Sequence, residues 1–535
     1  MSRRFALYAL LTIAAAARLL MQASAMPPYA GLDEIYHVAR LAFVAQEHRN
    51  PNNSEPSIPP YLDRSIHQDP RALPSFAQIG AGWQDVVRDN AVIVKEDALA
   101  PSDLRPYAGT NYESQQPSLF YWLAAWLHGG SAVDELRRWR LFSVFFAIVI
   151  VLATAFAGEA LFGERGIAAA TVLLLLPTWF TLVVRASNDA LACALLACAF
   201  AMSFRATARN LGGGEARVSS SASRIPRSAR YDLIEGLLWA GAFATKLYTW
   251  PAAIVLPLLW RKQKAPLLRI VLVTSLCVAA AAATFFDLHR RTTNALETSN
   301  VALYTQLLRV FAFNGAAASA LRASINVGEI VRVTIASAAW TGGQHLDALR
   351  PLAIAIYLGP VLITLLIAIG RRKPSLQIAV AALLAFGAAQ LFNIVAVILA
   401  GHAEGSIPLG KEGWYWYALA PIVIATIVPP LLERRLAVVA IAWMLVWDIV
   451  ITEGALFHDY AGATSPAHGS LLFRWGPLLA PFTARLNGVA VGPLTSAIPA
   501  LRIVHVLATA FLIALVLRHR MPAWHSASAS ASERV

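Results

Sequence analysis

Charged residues are scarce in this 535-residue chain, at 14% against about 25% in soluble globular domains. Hydrophobic residues make up 57%, and the mean hydropathy is +0.56. This balance excludes a disordered chain and argues against a water-soluble protein. The 31 glycines and 29 prolines follow no period, which excludes a fibrous repeat protein.

Cysteine is also rare. Cys193, Cys198 and Cys277 all lie within apolar stretches, and their positions indicate neither a disulfide framework nor a metal site. The chain lacks the G-x-x-x-x-G-K-[ST] phosphate loop, the dinucleotide-binding glycine pattern and the G-x-S-x-G nucleophile motif. No motif therefore indicates that the chain uses ATP.

Long apolar runs dominate what is present. They predict an all-α polytopic membrane protein, a bundle of about 12 transmembrane helices. The basic clusters, among them Arg3-Arg4 and Arg371-Arg372-Lys373, fall at alternate ends of these runs, as expected for cytoplasmic loops. That placement accounts for the formal charge of +13 without nucleic acid. The apolar runs are near 5–24, 141–159, 166–184, 190–205, 233–246, 249–260, 267–286, 351–370, 375–400, 416–431, 436–452 and 499–517.

With the N-terminus inside, the long stretch 25–140 faces outward, and its apolar segment 117–128 is too short to span a bilayer. We interpret that segment as an interfacial helix. The first helix is expected to be retained, although Ala23-Ser24-Ala25 also resembles a signal-peptide cleavage site. The predicted division is 1–24, first transmembrane helix; 25–140, outer loop; 141–286, helices 2–7; 287–350, second outer loop; 351–517, helices 8–12 with outer loops 401–415 and 453–498; and 518–535, cytoplasmic tail.

Two adjacent acids, Asp33 and Glu34, follow the first helix. If a helix starts here, Asp33, His37 and Arg40 share one face. A carboxylate beside a low-dielectric wall is suited to proton abstraction. In the alternative interpretation, Asp33 caps the helix and Glu34 is its first-turn acid. The spacing differs from the His-Glu-x-x-His zinc motif, so a metal ion is not favoured.

A second group lies before the aromatic segment. Glu113 and Gln116 are expected to face an aqueous pocket, unless the whole segment is an aromatic anchor at the membrane interface.

A third group, Arg185, Asn188 and Asp189, joins two spans at their outward ends. Charges at membrane depth are functional candidates, and the alternative is a helix cap beside a snorkelling arginine. Lys246 and Lys411 are outward cations suited to a phosphate leaving group, although Lys411 also fits a solvated loop.

In their order and outward placement, these motifs resemble the GT-C superfamily of membrane glycosyltransferases. The similarity is to the branch of protein mannosyltransferases, aminoarabinose transferases and related bacterial membrane proteins. Two positions depart from the family pattern: Ser118 replaces the second proline of a Pro-Pro pair, and Trp414 stands at a late arginine position. The matching elements are Asp33-Glu34, Gln116-Pro117-Ser118-Leu119-Phe120-Tyr121, Arg140-Leu141-Phe142-Ser143, Pro177 with Asn188-Asp189, and Glu412-Gly413-Trp414-Tyr415.

The resemblance implies transfer of a sugar from a polyprenyl phosphate to an acceptor outside the cytoplasm, with inversion. Asp33 would be the general base, and Glu34 would position it or the acceptor. Asp189 would hold the sugar or a cation. Arg140, Lys246 and either Arg185 or Lys411 would balance the phosphate charge.

The resemblance implies no cofactor, and a divalent cation is not favoured. The expected partners are the polyprenyl-phosphate sugar, the lipid bilayer and an acceptor glycan, lipid or protein. The expected location is a bacterial inner membrane, with both termini cytoplasmic and the site facing the periplasm or exterior. The alternative functions are a non-enzymatic carrier or flippase of a lipid-linked glycan or anionic solute, and a scaffold for another envelope enzyme.

Overall fold

The structure is a computed structural model. It describes residues 2–26, 34–52, 55–60, 62, 107, 109–130, 132–212, 227–263, 265, 267–292, 359, 374–399, 413–431, 435–451 and 495–518. Asp33, Lys411, the loop 453–494 and most of the predicted second outer loop lie outside these residues, as does nearly all of the apolar run 351–370.

Helices make up almost all regular structure in the described part of the chain. The α-helices are α1 (Arg3–Ala25), α2 (Glu34–Glu47), α3 (Leu119–Ala125), α4 (Ala132–Phe162), α5 (Glu164–Ala169), α6 (Pro177–Val184), α7 (Asp189–Gly212), α8 (Arg227–Phe243), α9 (Val255–Gln263), α10 (Leu267–Thr292), α11 (Pro374–Leu399), α12 (Ala420–Leu431), α13 (Arg435–Ile451) and α14 (Ile498–Arg518). Short 3₁₀ helices span Tyr112–Gln115, Ala170–Leu175, Leu247–Ile254, Gly413–Leu419 and Thr495–Ala497. Strands β1 (Pro56–Ile58) and β2 (Gly109–Thr110) pair antiparallel.

Several of these helices are membrane-spanning by length and apolar composition. Among the described residues four qualify: Arg3–Ala25, Asp134–Phe162, Leu267–Arg291 and Ile498–Leu515. The segment from Glu164 to Val184 becomes a fifth if its two halves, bent by 81°, count as one span. The predicted all-α membrane architecture is therefore confirmed.

The bundle is held by two apolar cores. The larger one is built from the long helices, in which α1 packs on α4 and α14, α4 on α7, and α8 on α10. The smaller one lies where α2 and α3 meet the N-terminal part of α4, and it buries Val38, Phe120, Tyr121 and Trp139. The second core fixes α2, and with it Glu34, against the end of the bundle.

The helix α3 has one buried and one open face. Phe120, Tyr121 and Ala124 are buried, whereas Trp122 and Trp126 are exposed to 45% and 73%. An apolar aromatic face of this kind suits the membrane interface. It corresponds to the interfacial helix predicted over 117–128.

Two helices extend further than the apolar runs indicate, toward the end of the bundle at which α2 begins. α4 begins at Ala132 although the apolar run begins near 141, and α10 continues to Thr292 although the run ends near 286. The added turns carry Arg140, Asp287 and Arg291, whose charges have partners there. Charged residues lower the local hydropathy, but a helix continues through them when they pair with residues of other elements.

Candidate active site

Glu34 and Arg140 form a buried ion pair at the start of α2. The Arg140 Nε and Nη2 atoms donate to the two Glu34 carboxylate oxygens over 2.9 and 2.7 Å. The Ala186 backbone N–H also donates to Glu34, and Arg140 Nη1 donates to the Met26 carbonyl at the end of α1. Bidentate, charge-assisted pairs of this kind are strong and geometrically specific. The pair therefore ties α1, α2, α4 and the loop before α7 together.

Asp189, the first residue of α7, lies between two cations. Its carboxylate accepts from Arg185 Nη2 at 2.5 Å and from Lys246 Nζ at 2.6 Å. Ser187 and Tyr248 also donate their hydroxyl groups to it. Among the described residues, two cations therefore share this one carboxylate. We call these three charged residues, Arg185, Asp189 and Lys246, the Asp189 cluster.

Asn188 is fixed beside this cluster. Its amide nitrogen donates to the Thr245 carbonyl at 3.1 Å, whereas its buried side-chain oxygen has no hydrogen-bond partner among the described residues. A buried carbonyl oxygen of this kind is able to accept a hydrogen bond from a bound molecule.

His37, one turn into α2, faces both an acid and a phenol. Its Nδ1 atom lies 2.6 Å from the Tyr121 hydroxyl and 3.6 Å from the Glu113 carboxylate. Burial lowers the pKa of His37 well below its usual range, and the cations Lys246 and Arg185 lower it further. His37 is therefore neutral at pH 7.

Arg40 and Arg291 donate hydrogen bonds to the turn that carries Glu113 and Gln116. Arg40 Nη1 donates to the Glu113 and Gln116 carbonyls over 2.6 and 2.9 Å. Arg291, on the last turn of α10, donates to the Ser114 and Gln116 carbonyls. Burial lowers the pKa of Arg40 to about 10, so it stays cationic at neutral pH.

These groups meet at one end of the bundle. The Glu34–Ala186 hydrogen bond joins α2 to the loop before α7. The Leu119 N–H donates to the Ala244 carbonyl, which joins the Gln116 segment to the loop of Lys246. At the opposite end, Arg3 pairs with Glu164 and Arg4 with Glu159. The site and the Arg3-Arg4 cluster therefore lie at opposite ends of α1 and α4.

The described candidates from the sequence come together here, and further residues that were not among those candidates join them. Arg40 is on the face predicted for Asp33 and His37, but no sequence pattern indicated its hydrogen bonds to the turn. Asp287 and Arg291 were assigned to a loop, and only their charges after a long apolar run hinted at a role. The candidates present are Glu34, His37, Glu113, Gln116, Arg140, Arg185, Asn188, Asp189 and Lys246; the additional residues are Arg40, Tyr121, Tyr248, Asp287 and Arg291.

Within the described ranges, no group of three or more His, Cys, Asp or Glu side chains is arranged to hold a metal ion. Asp33, the proposed base, and Lys411 lie outside those ranges. Their roles, and the absence of a cofactor, stay predictions.

Neither a protein-family model nor a curated protein matches this chain. Among solved structures, the chain is similar to ArnT from Cupriavidus metallidurans bound to undecaprenyl phosphate, with 14% identity over 95% of this chain and 76% of that one, and a TM-score of 0.45. It is also similar to the archaeal oligosaccharyltransferase AglB from Archaeoglobus fulgidus in complex with an inhibitory peptide and a dolichol-phosphate, with 12% identity over 94% of this chain and 55% of that one, and a TM-score of 0.37. At identities of 12–14% and TM-scores of 0.37–0.45, these likenesses carry no conclusion about family or function.

Proposed function

We propose that this protein is a glycosyltransferase that moves a hexose or pentose from a polyprenyl-phosphate donor to an acceptor at the outer face of the membrane. The donor's prenyl chain stays among the lipids, and its phosphosugar reaches the outward end of the bundle. No nucleotide is needed there, in keeping with the missing nucleotide-binding motifs.

The reaction is a single inverting displacement. The acceptor hydroxyl gives its proton to Asp33, and its oxygen attacks the anomeric carbon. The bond between that carbon and the phosphate oxygen breaks, and the electron pair leaves with the polyprenyl phosphate. Because negative charge grows on the phosphate, nearby fixed cations lower the barrier.

The observation that carries this proposal is the pair of buried cations in the Asp189 cluster. Arg185 and Lys246 are only 3% and 6% exposed, and the Asp189 carboxylate lies between them. Two adjacent cations are suited to charge-assisted hydrogen bonds with an anionic phosphate, and a hydroxyl of the sugar is a donor for the Asn188 oxygen.

Glu34 fits a supporting role better than that of a base. Both of its carboxylate oxygens accept from Arg140, and one also accepts from Ala186. With three donors on its two buried oxygens, the Glu34 carboxylate is held in place by the helices and the loop around it. We therefore assign the base to Asp33 alone, and to Glu34 the task of fixing the start of α2.

The location follows from the same distribution of charge. The end opposite the site carries Arg3, Arg4 and the exposed Arg261, which the positive-inside rule assigns to the cytoplasm. The site then faces the periplasm or the exterior, as a lipid-linked donor requires.

A deletion strain of the host tests this function. Mass spectrometry of its envelope glycans and lipids is expected to lack one hexose or pentose, and the wild-type gene is expected to restore it. Asp33→Asn should accumulate normally and restore nothing. Restoration of the sugar by Asp33→Asn would remove the general base from the proposal.

Binding of the leaving group is measured on the purified protein by native mass spectrometry with undecaprenyl phosphate. Lys246→Gln is expected to weaken binding roughly 10- to 100-fold, since a hydrogen bond to a charged group contributes about 1.5–3 kcal/mol. The matched control is Arg261→Gln, which removes an exposed cation from the other end of the bundle and should bind like wild type. Equal losses in both variants would contradict a phosphate site at Lys246.

One observation favours the carrier as a second candidate. Arg18, Asp448 and His505 are buried together between α1, α13 and α14, where Arg18 and His505 lie 3.2 and 3.4 Å from the Asp448 carboxylate. Charged groups inside a membrane often mark a transport pathway. Uptake of a labelled lipid-linked sugar by reconstituted vesicles, without a covalent product, would favour this candidate.

A further inference from the structure

The turn over residues 113–116 is held by an unusual number of charged contacts. Arg40 and Arg291 arrive from two different helices, α2 and α10, and donate to the carbonyls of Glu113, Ser114 and Gln116. The Gln116 carbonyl accepts from both guanidinium groups. The turn is thus clamped from two sides.

Each guanidinium is itself fixed. Arg40 lies over the Tyr121 ring, 3.8 Å from its centroid, and donates to the Asn50 side chain. Arg291 Nη2 donates to the Asp287 carboxylate at 2.6 Å, and that carboxylate also accepts from Ser118. Planar guanidinium groups held in this way present their donors at fixed angles.

Holding these four residues with two buried arginines is costly in free energy. The side chains of Arg40 and Arg291 are only 0% and 7% exposed, and removing a cation from water is costly unless its hydrogen bonds compensate. Apolar packing would hold a turn more cheaply. The arrangement is understandable if the position of the turn matters more than its stability.

The turn fixes the acid that faces His37. The Glu113 N–H donates to Asn111, which donates in turn to the Tyr36 carbonyl on α2, and the Glu113 carboxylate lies 3.6 Å from His37. His37 contacts the Tyr121 hydroxyl, and the Tyr121 ring supports Arg40. The clamp and the chain of Glu113, His37 and Tyr121 therefore form one connected unit beside the Asp189 cluster.

We infer that Arg40 and Arg291 are positioning residues that hold Glu113 and His37 in place for sugar transfer without contacting the donor phosphate themselves. The Nη groups of Arg40 donate to two carbonyl groups and to Asn50, and Arg291 donates to carbonyl groups and to the Asp287 carboxylate. In the proposed reaction Lys246 and Arg185 serve the phosphate instead. The inference rests on the proposed function and deepens it. It predicts that loss of Arg291 impairs transfer and leaves binding of the leaving group intact.

The test compares two buried arginines on the same helix. Arg291→Gln is expected to reduce restoration of the sugar in the deletion strain about 100-fold per folded molecule, since small misplacements of reacting groups cost about that much. Its binding of undecaprenyl phosphate, by native mass spectrometry, should stay within about twofold of wild type.

Arg269→Gln is the matched control. Arg269 is 4% exposed on α10 and pairs with Glu235 and Asp232 at the other end of the helix. Its loss should lower the melting temperature and leave transfer per folded molecule unchanged. Arg291→Lys should recover only part of the transfer. Lysine keeps the positive charge, but its ammonium group does not reproduce the planar set of guanidinium donors.

Wild-type transfer by Arg291→Gln, or equal loss in Arg291→Gln and Arg269→Gln, would overturn the inference. If Arg291→Gln fails to fold, Asp287→Asn keeps the cation and removes its charged partner. Sugar transfer by Asp287→Asn should fall about tenfold, and its binding of undecaprenyl phosphate should be unchanged. Full transfer by this variant would contradict a positioning role for Arg291. If wild type neither binds undecaprenyl phosphate nor restores a sugar, the proposed function itself fails.

Discussion

Buried charges are the main feature of this protein at the scale of single residues. Glu34 pairs with Arg140, Asp189 with Arg185 and Lys246, and Asp287 with Arg291, all at the end of the bundle that carries the candidate site. Buried pairs seldom add stability over apolar packing, and removal of one partner is strongly destabilising. Their concentration at one end therefore points to chemistry there.

The neutral state of His37 gives a prediction about pH. The pKa of His37 is lowered in the folded protein by burial and then by Lys246 and Arg185, whereas an unfolded chain takes up a proton near pH 6.5. The stability that His37 contributes is therefore present above about pH 6.5 and is lost as the pH falls. The slope below that point is up to about 1.4 kcal/mol per pH unit.

The measurement is the melting temperature of detergent-solubilised protein at pH 7.5 and pH 5.5. From pH 7.5 to pH 5.5, the melting temperature of wild type should fall more than that of His37→Asn. His48→Asn, which replaces an exposed histidine, is the control and should behave as wild type. Identical pH slopes for wild type and His37→Asn would refute a neutral buried His37.

At the scale of elements, the tightest contact is between α4 and α5. The chain reverses at Gly163, whose φ of +63° suits glycine, and the backbones then meet at Gly158 and Gly166. A Cβ atom on Gly166 would lie 1.9 Å from the Gly158 carbonyl carbon. Neither backbone has room for a methyl group.

Gly166→Ala is accordingly expected to destabilise the protein by at least the ~1–3 kcal/mol typical of overpacking. Gly236→Ala is the matched control, because the atom nearest its added Cβ is the end of the flexible Leu276 side chain, at 2.6 Å. That leucine is able to move, so the control should lose much less. Thermal unfolding in detergent compares the two, and similar losses would contradict the close approach of α4 and α5.

Element boundaries were only partly predictable from hydropathy. The run near 5–24 corresponds to α1, and the run near 190–205 corresponds to the first part of α7, which continues past Arg205 to Gly212. The run near 166–184 is instead broken by a 3₁₀ segment and restarts at Pro177, where proline suits the first turn of a helix. Hydropathy indicates which segments are apolar, but it does not indicate where a helix bends or restarts.

For the whole molecule, the two ends of the bundle differ in chemistry. One end carries the site and the other carries Arg3, Arg4 and Arg261, so the positive-inside rule predicts the orientation. Arg49 is half exposed near the site, and Arg261 is exposed at the far end.

A membrane-impermeant maleimide tests this orientation on intact spheroplasts. The Arg49→Cys variant should be labelled directly, and the Arg261→Cys variant only after permeabilisation. Wild type controls for background, because Cys193 and Cys277 are buried and Cys198 is partly buried. The reverse labelling pattern would invert the topology and place the site on the cytoplasmic side.

The sequence by itself determined the membrane class, the helical architecture and most of the residues that gather at the candidate site. Apolar runs, basic clusters and polar residues at run ends are local signals, and lipid and water impose them on any chain. Only the tertiary structure decided which residues pair: Arg140 with Glu34, Lys246 with Asp189, and Arg291 with the turn that carries Glu113. These partners lie far apart in the chain, and the physical reason for their pairing, burial of charge where several helices meet, exists only once the bundle has formed.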